Sequence, residues 1–133
     1  MLIQADLTER IIGAAMKVHT ELGPGLLEST YAACLQYEME AAALRVEAQV
    51  KLPIAYRGLH LDAGYRLDFL VENRVILELK AVERVIPLHK AQLPSYSRLS
   101  GLQVGLLLNF NVVHFRQGIV RMVRSPVVRT SFP

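Results

Sequence analysis

The residues of this chain that could do chemistry together are two acids and a lysine near its middle. Asp68, Glu78 and Lys80 lie in an otherwise β-prone stretch. If residues 72–74 form the loop of a hairpin, the register places Asp68 directly opposite Glu78, with Cβ atoms about 4.5–5.5 Å apart. The two-residue period of a strand puts Lys80 on the same face. The spacing therefore predicts that three charges meet on one side of a sheet.

Two carboxylates at contact distance repel each other unless a positive charge lies between them. A divalent cation with oxygen ligands suits such a pair, and Mg²⁺, or Mn²⁺ in its place, is the expected ion. Lys80 could then orient a water molecule or neutralise charge on a phosphoryl group. The alternative is a salt-bridged cluster on an exposed face, in which Lys80 offsets one acid.

Hydrophobic periodicity and turn residues predict the elements that position these groups. Asp6 or Thr8 can cap the first helix, and Pro94 inside the third predicts a kink or a late start. The predicted helices cover residues 6–22, 26–44 and 88–99. The predicted extended segments cover residues 46–52, with 54–56 as a continuation, then 59–62, 64–71, 75–82 and 104–110, and a last hairpin from 112–115 and 119–123. This order indicates an α/β fold in which helices cover the faces of a mixed sheet.

The composition fits one domain over residues 1–133. Hydrophobic residues make up 52% of the chain, enough for a real core. No apolar run approaches the roughly 18 residues that span a bilayer, so no membrane association is expected. The first ten residues lack the pattern of a secretory signal. The single cysteine, Cys34, excludes an internal disulfide and fits a reducing cytoplasm.

The charges are distributed unevenly along the chain. Residues 1–50 contain three basic and seven acidic residues, whereas residues 51–133 contain twelve basic and five acidic ones. No acid follows Glu83, while seven basic residues do: Arg84, Lys90, Arg98, Arg116, Arg121, Arg124 and Arg129. A basic half of this kind suits a polyanion such as DNA or RNA. Ordinary solubility charge is the alternative explanation.

Three motifs in order resemble one known family. Asp68, Glu78 and Lys80 resemble the signature of the PD-(D/E)XK phosphodiesterase superfamily. Residues 25–31, Gly-Leu-Leu-Glu-Ser-Thr-Tyr, resemble the motif that names its small GxxExxY family, and residues 92–96 resemble a Gln-x-x-x-Tyr motif of some branches. The resemblance covers nearly the whole chain. It implies a three-layer α/β/α restriction-endonuclease-like core with a mixed central sheet of four to six strands.

The resemblance also implies roles for individual residues. Asp68 and Glu78 would be metal ligands, and Lys80 would be the catalytic lysine. Glu28, at the start of the second helix, matches an acidic position that supports or completes the metal site in related enzymes. A charge that answers the helix dipole is the plainer interpretation of Glu28.

Two further site residues are implied on the third helix. Gln92 and Tyr96, four residues apart, would share one helix face and position the lysine, the water or the substrate backbone. Pro94 lies between them in the sequence. They could instead form a satisfied polar pair under the sheet.

The function predicted from these features is a metal-dependent phosphodiesterase, a nuclease that hydrolyses DNA or RNA with weak sequence selectivity. A non-catalytic nucleic-acid-binding or assembly module on the same fold is the second hypothesis, and an enzyme acting on a small phosphorylated ligand is the third. Domains of this size often dimerise, so a homodimer or a larger protein partner is also expected.

Overall fold

The computed structural model describes residues 3–125. Its helices are α1 (Ala5–Leu22), α2 (Glu28–Ala41) and α3 (Pro87–Ser100). Its strands are β1 (Val46–Lys51), β2 (Ile54–Tyr56), β3 (Leu59–Leu61), β4 (Arg66–Val71), β5 (Val75–Lys80), β6 (Val104–Asn109) and β7 (Ile119–Val123). This order is the predicted one except over residues 112–115, where no strand forms. Arg129, one of the basic residues counted above, lies outside the described residues.

The central sheet has five strands in the order β1-β4-β5-β6-β7. Strands β5 and β6 are parallel, and the other neighbours are antiparallel. Parallel neighbours need a crossover connection, which α3 supplies here. The strands β2 and β3 form a separate two-stranded sheet, so residues 54–56 do not continue β1 as predicted. A mixed sheet within the predicted four to six strands is thereby confirmed.

Helices cover both faces of this sheet. On one face, Ile11 of α1 and Tyr31 of α2 are buried in the same cluster as Leu77 of β5. On the other face, Leu93 of α3 packs in a cluster with Ile76. The alternation of a strand sends neighbouring residues to opposite faces, and here each face has its own core. The predicted three-layer α/β/α arrangement is confirmed. Among residues 3–125, no helix is long and apolar enough to cross a membrane.

The start of α1 differs from the prediction. Gln4 occupies the cap position in a left-handed conformation, and its side chain makes no capping bond. Thr8 is buried inside the first turn, where its Oγ1 donates a hydrogen bond to Ala5 O at 3.1 Å. Neither Thr8 nor Asp6 is therefore the cap. The helix ends at Gly23, as predicted, with a φ of 67° that favours glycine.

The other two helices also differ at their ends. Helix α2 is shorter than the predicted 26–44 because Ala43 adopts a left-handed φ of 62° after its last turn. Helix α3 begins at Pro87 and continues through Pro94, so a late start at Pro94 is wrong. Proline is well suited to a first helical position because its missing N–H has no partner there. Gly101, with a φ of 79°, ends α3 as predicted.

The strand predicted over residues 112–115 is absent from the described chain. Val112 O accepts a hydrogen bond from His19 Nε2 at 2.6 Å, which ties this segment to α1. The ring of Phe115 packs 5.0 Å from that of Phe110 and leads into a short 3-10 turn. These contacts turn the chain away from a hairpin, and β7 pairs directly with β6.

Candidate active site

The sheet opens between β4 and β5 at the two acids. The antiparallel pairing ends at Phe69 and Leu77, so Asp68 and Glu78 are the next pair in the predicted register. Beyond that point β4 continues alongside β1, and β5 continues alongside β6. We call this opening between Asp68 and Glu78 the fork. It holds both carboxyl groups at the junction of two parts of the sheet.

Each acid accepts a main-chain hydrogen bond from the opposite strand. Asp68 N donates to Glu78 Oε1 at 3.2 Å, and Leu79 N donates to Asp68 Oδ2 at 2.8 Å. These bonds take the place of the ladder bonds that the fork lacks. Glu78 is only 4% exposed, whereas Asp68 is half-buried. The two carboxyl groups are therefore held close together and largely out of water.

Burial gives Glu78 an unusual protonation state. Loss of water contact raises the pKa of Glu78 from its ordinary value of 4.5 to about 9, and the neighbouring Asp68 charge acts in the same direction. The charge of Lys80 opposes this shift but does not cancel it. A carboxyl group of this kind holds a proton at neutral pH unless another cation replaces that proton.

Lys80 ends β5 on the far side of Glu78. Its side chain is half-buried, and its charge lowers the pKa of both Glu78 and Glu28, so it lies within electrostatic reach of both. Its main chain is fixed by the parallel pairing with Asn109 and by the hydrogen bond from Phe110 N to Lys80 O at 3.0 Å. The structure thus brings the predicted lysine to the two predicted acids.

Glu28 lies on the face of the sheet that α1 and α2 cover, where it borders Asp68. It is the first residue of α2 and lines a cavity of about 390 Å³ together with Asp68 and Gln49. Burial of its carboxyl group raises the pKa of Glu28, and the Asp68 charge adds to this effect. Within residues 3–125, no three His, Cys, Asp or Glu side chains are arranged so that they could hold a metal ion by themselves.

The motif around Glu28 shapes the loop that carries it. Tyr31 is fully buried, and its hydroxyl donates to Gly23 O at 2.6 Å and accepts from Leu26 N at 3.1 Å. Its ring stacks on Phe110 with a centroid distance of 4.7 Å. Gly25 has a φ of 97°, as expected for a glycine required by the backbone. Tyr31 therefore fixes the turn from which α2 and Glu28 begin.

Comparison with protein families agrees with this geometry. Residues 5–122 match the model of the PD-(D/E)XK nuclease superfamily, which is most of the chain. The chain belongs to the PD-(D/E)XK nuclease superfamily. Nucleases of this superfamily generally use divalent metal ions. No curated protein and no solved structure matches the chain significantly. Assignment to the GxxExxY family stays a prediction.

The two residues expected on α3 lie on the opposite face of the sheet from Glu28. Gln92 and Tyr96 line one cavity, together with Tyr65. Burial raises the pKa of Tyr96, and the charges of Glu78 and Asp68 raise it further, so Tyr96 lies within electrostatic reach of both acids. Gln92 Oε1 is buried and has no hydrogen-bond partner in the described part of the protein, so a satisfied polar pair is not what the structure shows.

Gln49 is a site residue that the sequence did not reveal. Pairing between β1 and β4 runs from Ala48 and Phe69 to Val50 and Leu67, but it skips Gln49 and the facing Asp68. Gln49 has a left-handed φ of 55°, which is unusual for a residue other than glycine. Nothing in the alternating pattern of this strand distinguishes Gln49 from its neighbours.

The break at Gln49 also reverses the side chains that follow it. Leu67 packs with Leu70 and Ile76 on the α3 face, although strand alternation predicts that it shares the face of Phe69. Leu67 and Phe69 therefore belong to the cores on opposite faces of the sheet. The same distortion frees Asp68 from the β1 ladder and allows its carboxyl group to reach β5.

Not all of the predicted basic residues remain available for a polyanion. Arg124 Nε donates to Ser97 Oγ at 2.8 Å, and Arg121 donates to Ile3 O. Both guanidinium groups therefore support the fold. Arg84 and Lys90 remain exposed on the segment that follows the active-site strand.

Proposed function

We propose that this protein is a metal-dependent phosphodiesterase that hydrolyses the backbone of DNA or RNA. The observation that carries the proposal is the pairing of half-buried Asp68 with buried Glu78 at the fork, with Lys80 beside it. A folded protein that confines two acids in this way can gain affinity for a cation, because the cation relieves their repulsion. Membership of the superfamily supports the same reaction.

Asp68 and Glu78 fit a divalent cation such as Mg²⁺ or Mn²⁺. Mg²⁺ keeps several of its waters and binds one or two carboxylates together with substrate phosphate, so two protein ligands suffice. Glu28 would act on the same ion from the α2 side, either directly or through a water. When bound, the cation would polarise the phosphate and lower the pKa of the attacking water.

The remaining side chains have roles that follow from their charge and position. Lys80 stabilises the attacking water or the negative charge that develops on the phosphoryl group. The hydroxyl of Tyr96 is protonated at neutral pH, like that of any tyrosine whose pKa is not lowered, so it can donate a hydrogen bond to a phosphoryl oxygen. The buried Oε1 of Gln92 accepts no hydrogen bond within the described residues. It would accept one from Lys80 or from a water and so position that group.

Exposed basic residues at the border of the fork hold the substrate backbone. Lys51 and Arg66 face each other on β1 and β4, next to Asp68 along β4, and both are exposed. Arg84 and Lys90 are exposed on the other side, after β5. Contacts of this type are electrostatic, so binding weakens as salt concentration rises and depends little on base sequence.

The test compares cleavage by the wild type with that by Lys80→Met and Glu78→Gln. Single- and double-stranded DNA and RNA are incubated with each protein in Mg²⁺, Mn²⁺ or EDTA. Cleavage in metal that is lost in EDTA and reduced at least 100-fold in both variants is expected, since loss of one electrostatic contribution to catalysis typically costs about 10²–10³.

Two matched variants control for nonspecific effects of these substitutions. Lys17→Met on α1 and Glu47→Gln on β1 remove the same charges outside the fork, and both should cleave like the wild type. Salt-sensitive binding of nucleic acid without any cleavage would instead show a binding module and overturn the proposal.

A further inference from the structure

A second cavity lies on the α3 side of the sheet. It has a volume of about 410 Å³ and lies between α3, the β2–β3 hairpin and the start of β4. Tyr65, Leu88, Tyr96 and Leu99 contribute most of its bulky side chains. We call it the tyrosine cavity. Pockets of this size accommodate small organic groups, which are held mainly by apolar and aromatic walls.

The tyrosine cavity lies at the end of β4 that carries Asp68. Tyr96, on its wall, lies close enough to the acids that the charges of Glu78 and Asp68 raise its pKa. Tyr65, on the facing wall, lies three residues before Asp68, and its ring centroid is 6.4 Å from that of Tyr96. A group bound in this cavity would therefore lie next to a phosphate held at the fork.

The walls of the cavity present apolar surface to water. Leu88 is 70% exposed, Tyr65 46% and Leu99 39%. An intact duplex offers this surface little, because the faces of its bases are stacked inside and only base edges, sugars and phosphates are exposed. An unpaired base offers a flat π-face, and stacking on an aromatic side chain needs no particular sequence.

The charges around the cavity also suit a nucleic-acid strand. Helix α3 carries Lys90 and Arg98 and contains no acid. Arg66 follows Tyr65 directly and is exposed. Aromatic side chains combined with a basic groove are the arrangement by which proteins bind single strands. A protein partner would need a much larger face, about 800 Å² from each side.

We propose that the tyrosine cavity holds one unpaired base next to the phosphate that is cut. The substrate class would then be nucleic acid with unpaired nucleotides at the cleavage position, such as single strands, flaps and bubbles, rather than intact duplex. This inference rests on the proposed function for the position of the cut phosphate. The stacking surface itself is a property of Tyr65 and its neighbours.

The first experiment uses the exposed tyrosine. Tyr65→Leu keeps apolar bulk and removes the ring, and Tyr37→Leu removes a tyrosine that is 71% exposed on α2. Binding of a single-stranded oligonucleotide that contains 2-aminopurine is followed by fluorescence, with Ca²⁺ in place of Mg²⁺. Loss of one stacking contact should weaken binding by Tyr65→Leu about 10- to 100-fold, and Tyr37→Leu should bind like the wild type.

The second experiment measures cleavage of one sequence as single strand, duplex and duplex with a bubble. The wild type should cut the single strand and the bubble at least tenfold faster than the duplex. A single strand with one abasic site, moved along its sequence, should be cut poorly at the phosphate next to the missing base. Leu88→Glu, which places a negative charge at the rim, should weaken single-strand binding and provides a second variant if Tyr65→Leu does not fold.

The two proposals fail in different ways. Equal cleavage of duplex and single strand, with Tyr65→Leu and Leu88→Glu binding like the wild type, would overturn the base-binding cavity and leave the nuclease standing. Binding that depends on Tyr65, without cleavage of any substrate in any metal, would support the cavity and overturn the nuclease.

Discussion

The metal-free protein should lose stability as the pH rises, and Glu78→Gln should remove most of this loss. Burial raises the pKa of Glu78 to about 9, so the folded state holds a proton that the unfolded state releases near pH 4.5. Between these two values the folded state binds more protons, and the free energy of unfolding therefore falls with rising pH. Glutamine imitates the protonated acid in size and is neutral at every pH.

The size of the effect follows from one proton. A difference of one bound proton changes the free energy of unfolding by about 1.4 kcal/mol per pH unit. From pH 6 to pH 8 the wild type should therefore lose about 2.7 kcal/mol of unfolding free energy, while Glu78→Gln should lose much less. This substitution is not expected to disturb the fork, because the amide oxygen of glutamine can still accept the bond from Asp68 N that Glu78 Oε1 accepts at 3.2 Å.

The assay is urea unfolding of both proteins in EDTA at several pH values between 6 and 8. Addition of Mg²⁺ at 100 times its Kd should then stabilise the wild type by about 2.7 kcal/mol and Glu78→Gln by much less. A wild-type stability that is constant or rises with pH in EDTA would refute the reasoning, as would a parallel loss in the variant. The raised pKa of Glu28 also lowers stability as the pH rises, and Glu28→Gln is the control that separates this contribution from that of Glu78.

Three further predictions concern the supports of the site, each checked by urea unfolding. Tyr31→Phe loses the hydroxyl that joins Gly23 O and Leu26 N, and it should be less stable by about 1–3 kcal/mol; an unchanged midpoint would contradict this role. Gly118→Ala should destabilise by about 1–3 kcal/mol or more, because the new Cβ would lie 2.1 Å from Asn109 O, and a neutral result would show that the turn adjusts freely. Asn109→Ala removes the side-chain amide that is hydrogen-bonded to Val82 N at 3.1 Å and to Val82 O at 2.9 Å, just beyond β5. The variant should be less stable to unfolding by about 1–3 kcal/mol and should cleave more slowly. Full cleavage activity would contradict this role.

The sequence predicted the hairpin of the site well because its register depends on local signals. Residues 72–74 form the connection, and Glu72 and Asn73 both have left-handed φ values of 51° and 58°. A short turn fixes which residues face each other, so Asp68 and Glu78 follow as a pair. The order of helices and strands could also be predicted from the sequence, because hydrophobic residues recur with a different period in helices and in strands.

The remaining features depend on contacts distant in sequence. The left-handed backbone of Gln49 interrupts the ladder opposite Asp68, and local propensity does not encode it. The bond from His19 to Val112 O joins residues 93 apart and prevents the predicted strand. The charge count could not show that Arg121 and Arg124 are used inside the fold, because charge alone does not say which partners a side chain has.

The fork attaches the two acids to different parts of the sheet. Asp68 belongs to the pair of β1 and β4, whereas Glu78 belongs to the unit of β5, β6 and β7. Any small rotation of one part against the other changes the separation of the carboxyl groups. A cation bound to both would act as a crosslink between these parts, so metal should slow amide hydrogen exchange at the ends of β4 and β5. The same ion would then set both the separation of the two carboxyl groups needed for catalysis and the rigidity of the sheet.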